Sequence, residues 1–114
     1  MRVVQIAGDS GSAESLVLTE RPDPVAGPSQ IRIQVRAAGI NRPDILQRMG
    51  RYPAPPGASD IPGLEVAGEV DQVGGGVTRW SAGDRVCALL GGGGYAAFAV
   101  VDARHALPVP SDMD

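Results

Sequence analysis

At 114 residues the chain has room for one domain, because chains of roughly 100 to 200 residues build a single hydrophobic core, and a second domain does not fit. A hydrophobic fraction of 43% can fill that core, while 16 Gly and 10 Pro against one Trp, one Phe and two Tyr predict turns and short strands rather than long helices. The formal net charge is -3 and the arginines are scattered singly, which excludes the electrostatic footprint of a nucleic-acid or anionic-membrane binder.

Residues 1–7 and 14–20 are rich in β-branched side chains and flank the turn-forming Gly8-Asp-Ser-Gly11, so they predict a hairpin. Pro22, Pro24 and Pro28 lack the N–H that a central strand uses, which makes residues 21–29 a connecting loop. In residues 30–37, Ile31, Ile33, Val35 and Ala37 alternate with Gln30, Arg32, Gln34 and Arg36. That period of two predicts a strand with one face on the core and one on water.

Asn41-Arg-Pro-Asp44 followed by Ile45-Leu-Gln-Arg-Met-Gly50 predicts a short helix with its own start and stop signals. Asn41 can cap it, Pro43 is tolerated in the first turn, Asp44 complements the positive helix start, and Gly50 suits the position past the end. So short a helix is marginal alone, and its place must be fixed by packing. The proline-dense Tyr52-Pro-Ala-Pro-Pro-Gly57 predicts an ordered loop.

The strand pattern returns in residues 64–73, with Val66 and Val70 on one face and Glu65, Glu69 and Asp71 on the other, before Gly74-Gly-Gly76 turns the chain. Residues 84–90 and 95–101 predict two more strands, joined by Gly91-Gly-Gly-Gly94 as a hairpin turn. About seven strands and one helix define a mainly β class, a sandwich or small barrel, and the polar residues 109–114 read as a segment leading onward.

Cys87 is the single cysteine, so no internal disulfide can form, and no stretch joins a basic start, an apolar run and a cleavage site. A soluble protein of the reducing cytoplasm is the expectation, with no apolar run near the roughly 18 residues of a membrane span. Cys87 reads as a small buried hydrophobe and His105, the single histidine, as a surface residue. Gly91-Gly-Gly-Gly-Tyr-Ala96 meets a loose G-x-G-x-x-A pattern, but a dinucleotide fingerprint opens a helix, and here a strand-like run follows.

The run Ala37-Ala-Gly-Ile-Asn-Arg-Pro-Asp44, then Gln47-Arg-Met-Gly-Arg-Tyr-Pro53, Pro55-Pro-Gly57, Ile61-Pro-Gly-Leu-Glu-Val-Ala-Gly68 and Gly83-Asp-Arg-Val86 resembles the medium-chain dehydrogenase/reductase superfamily. Within it, the chain looks like the zinc-free quinone oxidoreductase branch, in the same order from Met1 to the end. The resemblance implies a GroES-like fold, a partly open β-barrel with one or two short helices, spanning residues 1–114 as the N-terminal, catalytic-side domain. It further implies a Rossmann nucleotide-binding domain that these residues do not include, so that the domain itself is truncated. In the zinc-dependent alcohol dehydrogenase branch the positions matching Asn41 and Leu64 are a cysteine and a histidine ligand. A four-cysteine lobe there takes the place of residues 87–94. Neither the catalytic nor the structural zinc set has its donors in this chain.

What the resemblance implies for function is an NADPH-dependent quinone or enone oxidoreductase, transferring hydride without zinc in a cleft between two domains. A quinone or other α,β-unsaturated carbonyl delocalises incoming negative charge, so positioning and hydrogen-bond donors can replace a Lewis acid. Asn41 would orient the nicotinamide or the substrate carbonyl, a role compatible with capping the helix. Tyr52 would contact the substrate or supply a proton, or else be a half-buried loop aromatic. Asp44 would shape the cofactor's corner or serve as a plain first-turn carboxylate, and Leu64 would line the substrate pocket. The full-length protein is expected to be a homodimer, and the isolated chain inactive and prone to self-association through exposed apolar surface. Two rival readings are an enoyl-thioester reductase domain of the same superfamily and a non-catalytic GroES-like binding or assembly module.

Overall fold

Seven strands, one α-helix and two single-turn 3-10 helices make up the regular structure of residues 1–8 and 11–113, the part of the chain that the computed structural model describes. In chain order they are β1 (Arg2–Ile6), β2 (Leu16–Glu20), β3 (Gln30–Ala38), α1 (Arg42–Arg48), β4 (Glu65–Val73), β5 (Arg85–Leu89), β6 (Phe98–Asp102) and β7 (Ala106–Pro108). The 3-10 turns Ala13–Ser15 and Ala103–His105 precede β2 and β7. β1 and β2 pair antiparallel as predicted, with Val4 opposite Leu18; Asp9 and Ser10 of the intervening turn, and Asp114 at the end of the polar tail, lie outside the described residues.

The other five strands form one antiparallel sheet in the order β6-β3-β4-β5-β7. The hairpin extends it beyond β6. Val3 bridges Ala96, the Val4 N–H donates to the Tyr95 carbonyl at 2.8 Å, and the Ala97 N–H donates to the Arg2 carbonyl at 3.0 Å. The result is mainly β, a curled and partly open barrel with one short helix, which is the GroES-like fold.

The alternation in β3 places Ile31 and Ile33 at the centre of the core, both 0% exposed. Val66 and Val70 of β4, Val86 and Ala88 of β5, Val101 of β6 and Ala106 of β7 pack around them, under Trp80. The Trp80 indole N–H donates to the Ala103 carbonyl at 2.9 Å, so the ring is buried with its polar edge satisfied. Alternation stops at Val35. Val35 faces Gly68 while Ala37 faces Ala67, so Arg36 is an extra residue in the ladder, and Ala37, predicted on the core face, is exposed instead. A second irregularity leaves Asp71 unopposed between Val70 and Gln72, and the Arg32 guanidinium forks onto its carboxylate at 2.9 and 3.1 Å.

One further expectation needs correction. Gly91-Gly-Gly-Gly94 is not a hairpin turn, because β5 lies between β4 and β7 while β6 pairs with β3. The glycine run crosses to the far edge of the sheet along residues 61–63, with the Gly93 N–H on the Ile61 carbonyl at 2.7 Å, Gly94 on Gly63 at 3.0 Å and Tyr95 on Pro62 at 2.9 Å. Small residues suit that path because backbone lies directly on backbone. Beyond β6, the polar stretch around His105 leads into β7, three residues too few for a period to show, which cover the free edge of β5.

Candidate functional site

Three segments meet at the start of α1: the link Gly39 to Asn41 leaving β3, the approach from Pro62 to Glu65 entering β4, and Tyr95 after the glycine run. Asn41 has extended backbone, φ -130° and ψ 156°, as a residue preceding a helix does. Its N–H donates to Asp44 Oδ2 at 2.8 Å, and the Asp44 N–H donates back to the Asn41 carbonyl at 3.0 Å. The helix ends on a matching device. The Gly50 N–H bonds the Gln47 carbonyl at 3.0 Å and the Arg51 N–H the Leu46 carbonyl at 2.7 Å, with Gly50 at φ 76°. Seven residues thus begin and end at fixed points.

Asp44 is 7% exposed. Its Oδ2 also accepts the Tyr95 phenol O–H at 2.5 Å, while Oδ1 is buried without a partner. The same phenol oxygen lies 3.2 Å from the Gly39 carbonyl, but a phenol has one proton and the nearer carboxylate takes it. Burial, the bond to Asp44, and the negative charges of Asp44 and Glu65 push the Tyr95 phenol well above the usual range. The Asn41 carboxamide donates through Nδ2 to Glu65 Oε1 at 3.3 Å. Glu65 fits because residue 39 is glycine: a Cβ there would fall 1.9 Å from Glu65 Oε1.

Of the residues singled out in the sequence, Asn41 and Asp44 are therefore brought into direct contact. Leu64 is half-buried beside Glu65, its carbonyl accepting from the Leu90 N–H at 2.7 Å. Tyr52 is 38% exposed on the loop after α1 and is not bonded to Asn41 or Asp44. Two participants escaped the sequence reading, Glu65 and Tyr95. Both lie in strand-like runs, where a polar residue reads as part of the solvent face. The usable signal for Tyr95 was an aromatic with a polar tip placed between a glycine run and small apolar residues.

Beside this cluster a cavity of ≈ 620 Å³ opens between the β1–β2 hairpin and α1. Val4, Leu16, Leu18, Ile40, Ile45 and Pro62 supply apolar wall, and Asp44, Arg48 and Tyr95 supply its polar side. Elsewhere, Cys87 is half-buried and His105 exposed. Among the described residues no three His, Cys, Asp or Glu side chains gather as a candidate metal group, and no helix is long and apolar enough to cross a membrane.

The family model for the alcohol dehydrogenase GroES-like domain matches residues 27–111. The chain belongs to that family, the GroES-like domain of the medium-chain dehydrogenase/reductase superfamily. It is 32% identical over 115 residues to quinone oxidoreductase from Rattus norvegicus, covering 100% of this chain and 35% of that protein. Over 109 residues it is 43% identical to the pikromycin polyketide synthase component PikAII from Streptomyces venezuelae, covering 90% of this chain and 3% of that protein. Among solved structures, Escherichia coli quinone oxidoreductase complexed with NADPH superposes with a TM-score of 0.86 at 32% identity, over 100% of this chain and 35% of that one. The chain thus spans little more than a third, or less, of each of these relatives.

Proposed function

We propose that the chain is the catalytic-side domain of an NADPH-dependent quinone or enone oxidoreductase that works without zinc, alongside a Rossmann domain outside residues 1–114. The observation that carries this reading is the whole-chain likeness to quinone oxidoreductase, with a carboxamide at Asn41 and an aliphatic side chain at Leu64 where a zinc site needs thiolate and imidazole.

The residues fit the reactive end of the cofactor only. One carboxamide can bond another, and the single N–H that Asn41 gives to Glu65 leaves it a second to offer. Among the described residues the glycine run leads to β6 rather than to a helix start, so it is no cradle for a pyrophosphate. When bound, NADPH supplies the hydride. Asn41 orients the nicotinamide or the substrate carbonyl, and Asp44 shapes that corner by holding the Asn41 backbone. Tyr52, exposed on its proline-stiffened loop, donates to the substrate oxygen or provides the second proton, and Leu64 lines the pocket. The full-length protein is read as a cytoplasmic homodimer acting on a small quinone or α,β-unsaturated carbonyl.

The 43% identity to a polyketide synthase component favours a second reading, an enoyl-thioester reductase domain of the same superfamily. Steady-state NADPH oxidation by the intact gene product, with a quinone, an enone and an enoyl thioester in parallel, separates them. Turnover with the quinone or enone, insensitive to a zinc chelator, is the expected result, and residues 1–114 alone should be inactive. Preference for the thioester moves the assignment to the second reading. No oxidation with any of the three makes the chain a non-catalytic GroES-like module.

A further inference from the structure

We propose that Tyr95 is a positioning residue for Asn41, acting through Asp44; the proposal rests on the reading of Asn41 as the ligand-facing amide. Tyr95 is mounted rigidly. Its N–H donates to the Pro62 carbonyl at 2.9 Å and its carbonyl accepts the Val4 N–H at 2.8 Å, which fixes it between β1 and the approach to β4. From that mount its hydroxyl reaches Asp44 Oδ2 at 2.5 Å, and the same oxygen takes the Asn41 N–H at 2.8 Å. One carboxylate oxygen therefore ties the Asn41 backbone to the barrel wall.

Among the described residues the carboxylate's hydrogen bonds come from the Tyr95 hydroxyl and the Asn41 N–H and from no other group, because Asp44 Oδ1 is buried with no hydrogen-bond partner. A helix of seven residues has too little intrinsic stability to hold its own start. The Asn41 side chain contributes one bond, to Glu65, and at 3.3 Å it is the longest of the set. Without the Tyr95 hydroxyl, Asp44 loses a charge-assisted bond, and the Asn41 N–H is left bonded to a carboxylate no longer tied to the barrel wall.

The test is amide hydrogen exchange and NMR on the full 114-residue chain and its Tyr95→Phe variant. Exchange of the Asn41 N–H should speed by roughly tenfold or more relative to the core amides of Ile33 and Val70, with a shift of the Asn41 side-chain NH₂ resonances. A general loss of stability would instead raise all of these rates together. Unchanged Asn41 exchange and shifts in a folded variant, or a uniform rise, overturn the proposal. Should Tyr95→Phe not fold, the unmodified chain decides: a slowly exchanging, downfield Tyr95 hydroxyl proton with a cross-relaxation peak to the Asn41 amide supports the proposal, and its absence overturns it. None of these readouts involves catalysis, so they stand or fall separately from the reductase reading.

Discussion

Gly63 and Gly94 lie back to back, so close that a Cβ on Gly63 would fall 2.7 Å from the Gly94 Cα and 2.5 Å from the Tyr95 nitrogen. This is where the glycine run crosses the approach to β4, and both neighbours are backbone that has no rotamer to give. Gly63 also has φ 108°, a conformation side chains rarely adopt. Gly63→Ala should therefore destabilise the chain by about 3 kcal/mol or more, read as a lower urea midpoint, whereas Gly75→Ala, which meets nothing within 4 Å, should change it little.

Trp80 is expected to dominate the β7 side of the core. Replacing it with Phe removes the N–H that satisfies the Ala103 carbonyl and leaves a partial void, a cost of about 1–3 kcal/mol. Trp80→Ala should cost about 3–5 kcal/mol. Denaturant unfolding that shows equal stability for the two variants would disprove this account of the packing.

Two titrations should bracket the stable pH range. The side-chain and backbone hydrogen bonds from Arg104 hold the Asp102 carboxyl down at about 2, below the ordinary value of 3.8. A depressed carboxylate favours the folded state fully above that ordinary value, and the benefit fades as pH falls toward 2. Carbon NMR should find the low midpoint, and Arg104→Ala should return it upward. Tyr95 works in the opposite direction. Its raised phenol adds stability below about pH 10 that is lost as pH climbs past that point. Phenolate absorbance should show a late phase that Tyr95→Phe abolishes.

If Asn41 faces the cofactor or substrate, its charge matters as much as its shape. Asn41→Asp would set a second carboxylate beside Glu65, 3.3 Å away, and repel it from the present position. In the intact enzyme kcat/KM for quinone reduction should fall by about a hundredfold, as misplacement of an orienting group commonly causes, with Tm changed little. Equal activity in Asn41→Asp and the unmodified enzyme would remove Asn41 from the site.

Much of the fold was legible because its signals are local. Alternation from Ile31 to Val35 announced β3, and Asn41, Asp44 and Gly50 announced both ends of α1. What stayed hidden depends on pairing between distant residues. The extra residue Arg36 turns Ala37 outward, a change visible only against Gly68 and Ala67 of β4. The destination of the glycine run depends on β7 having taken the edge of β5, so adjacency in sequence misled. The site divides in the same way. Asn41 and Asp44 were readable as a helix start, whereas Glu65 and Tyr95, 24 and 51 residues from their partners, needed the curled sheet.

The strand order also sets a timetable for synthesis. β3 and β4 can pair once residue 73 has emerged, but β3 lacks its second neighbour until β6 at residues 98–102, and β5 lacks its own until residues 106–108. A nascent chain therefore carries bare ladders on β3 and β5 until residues 98–108 have emerged. Bare ladders recruit foreign strands. For this domain the hazardous interval lies in translation, and whatever delays the emergence of residues 98–108 lengthens it.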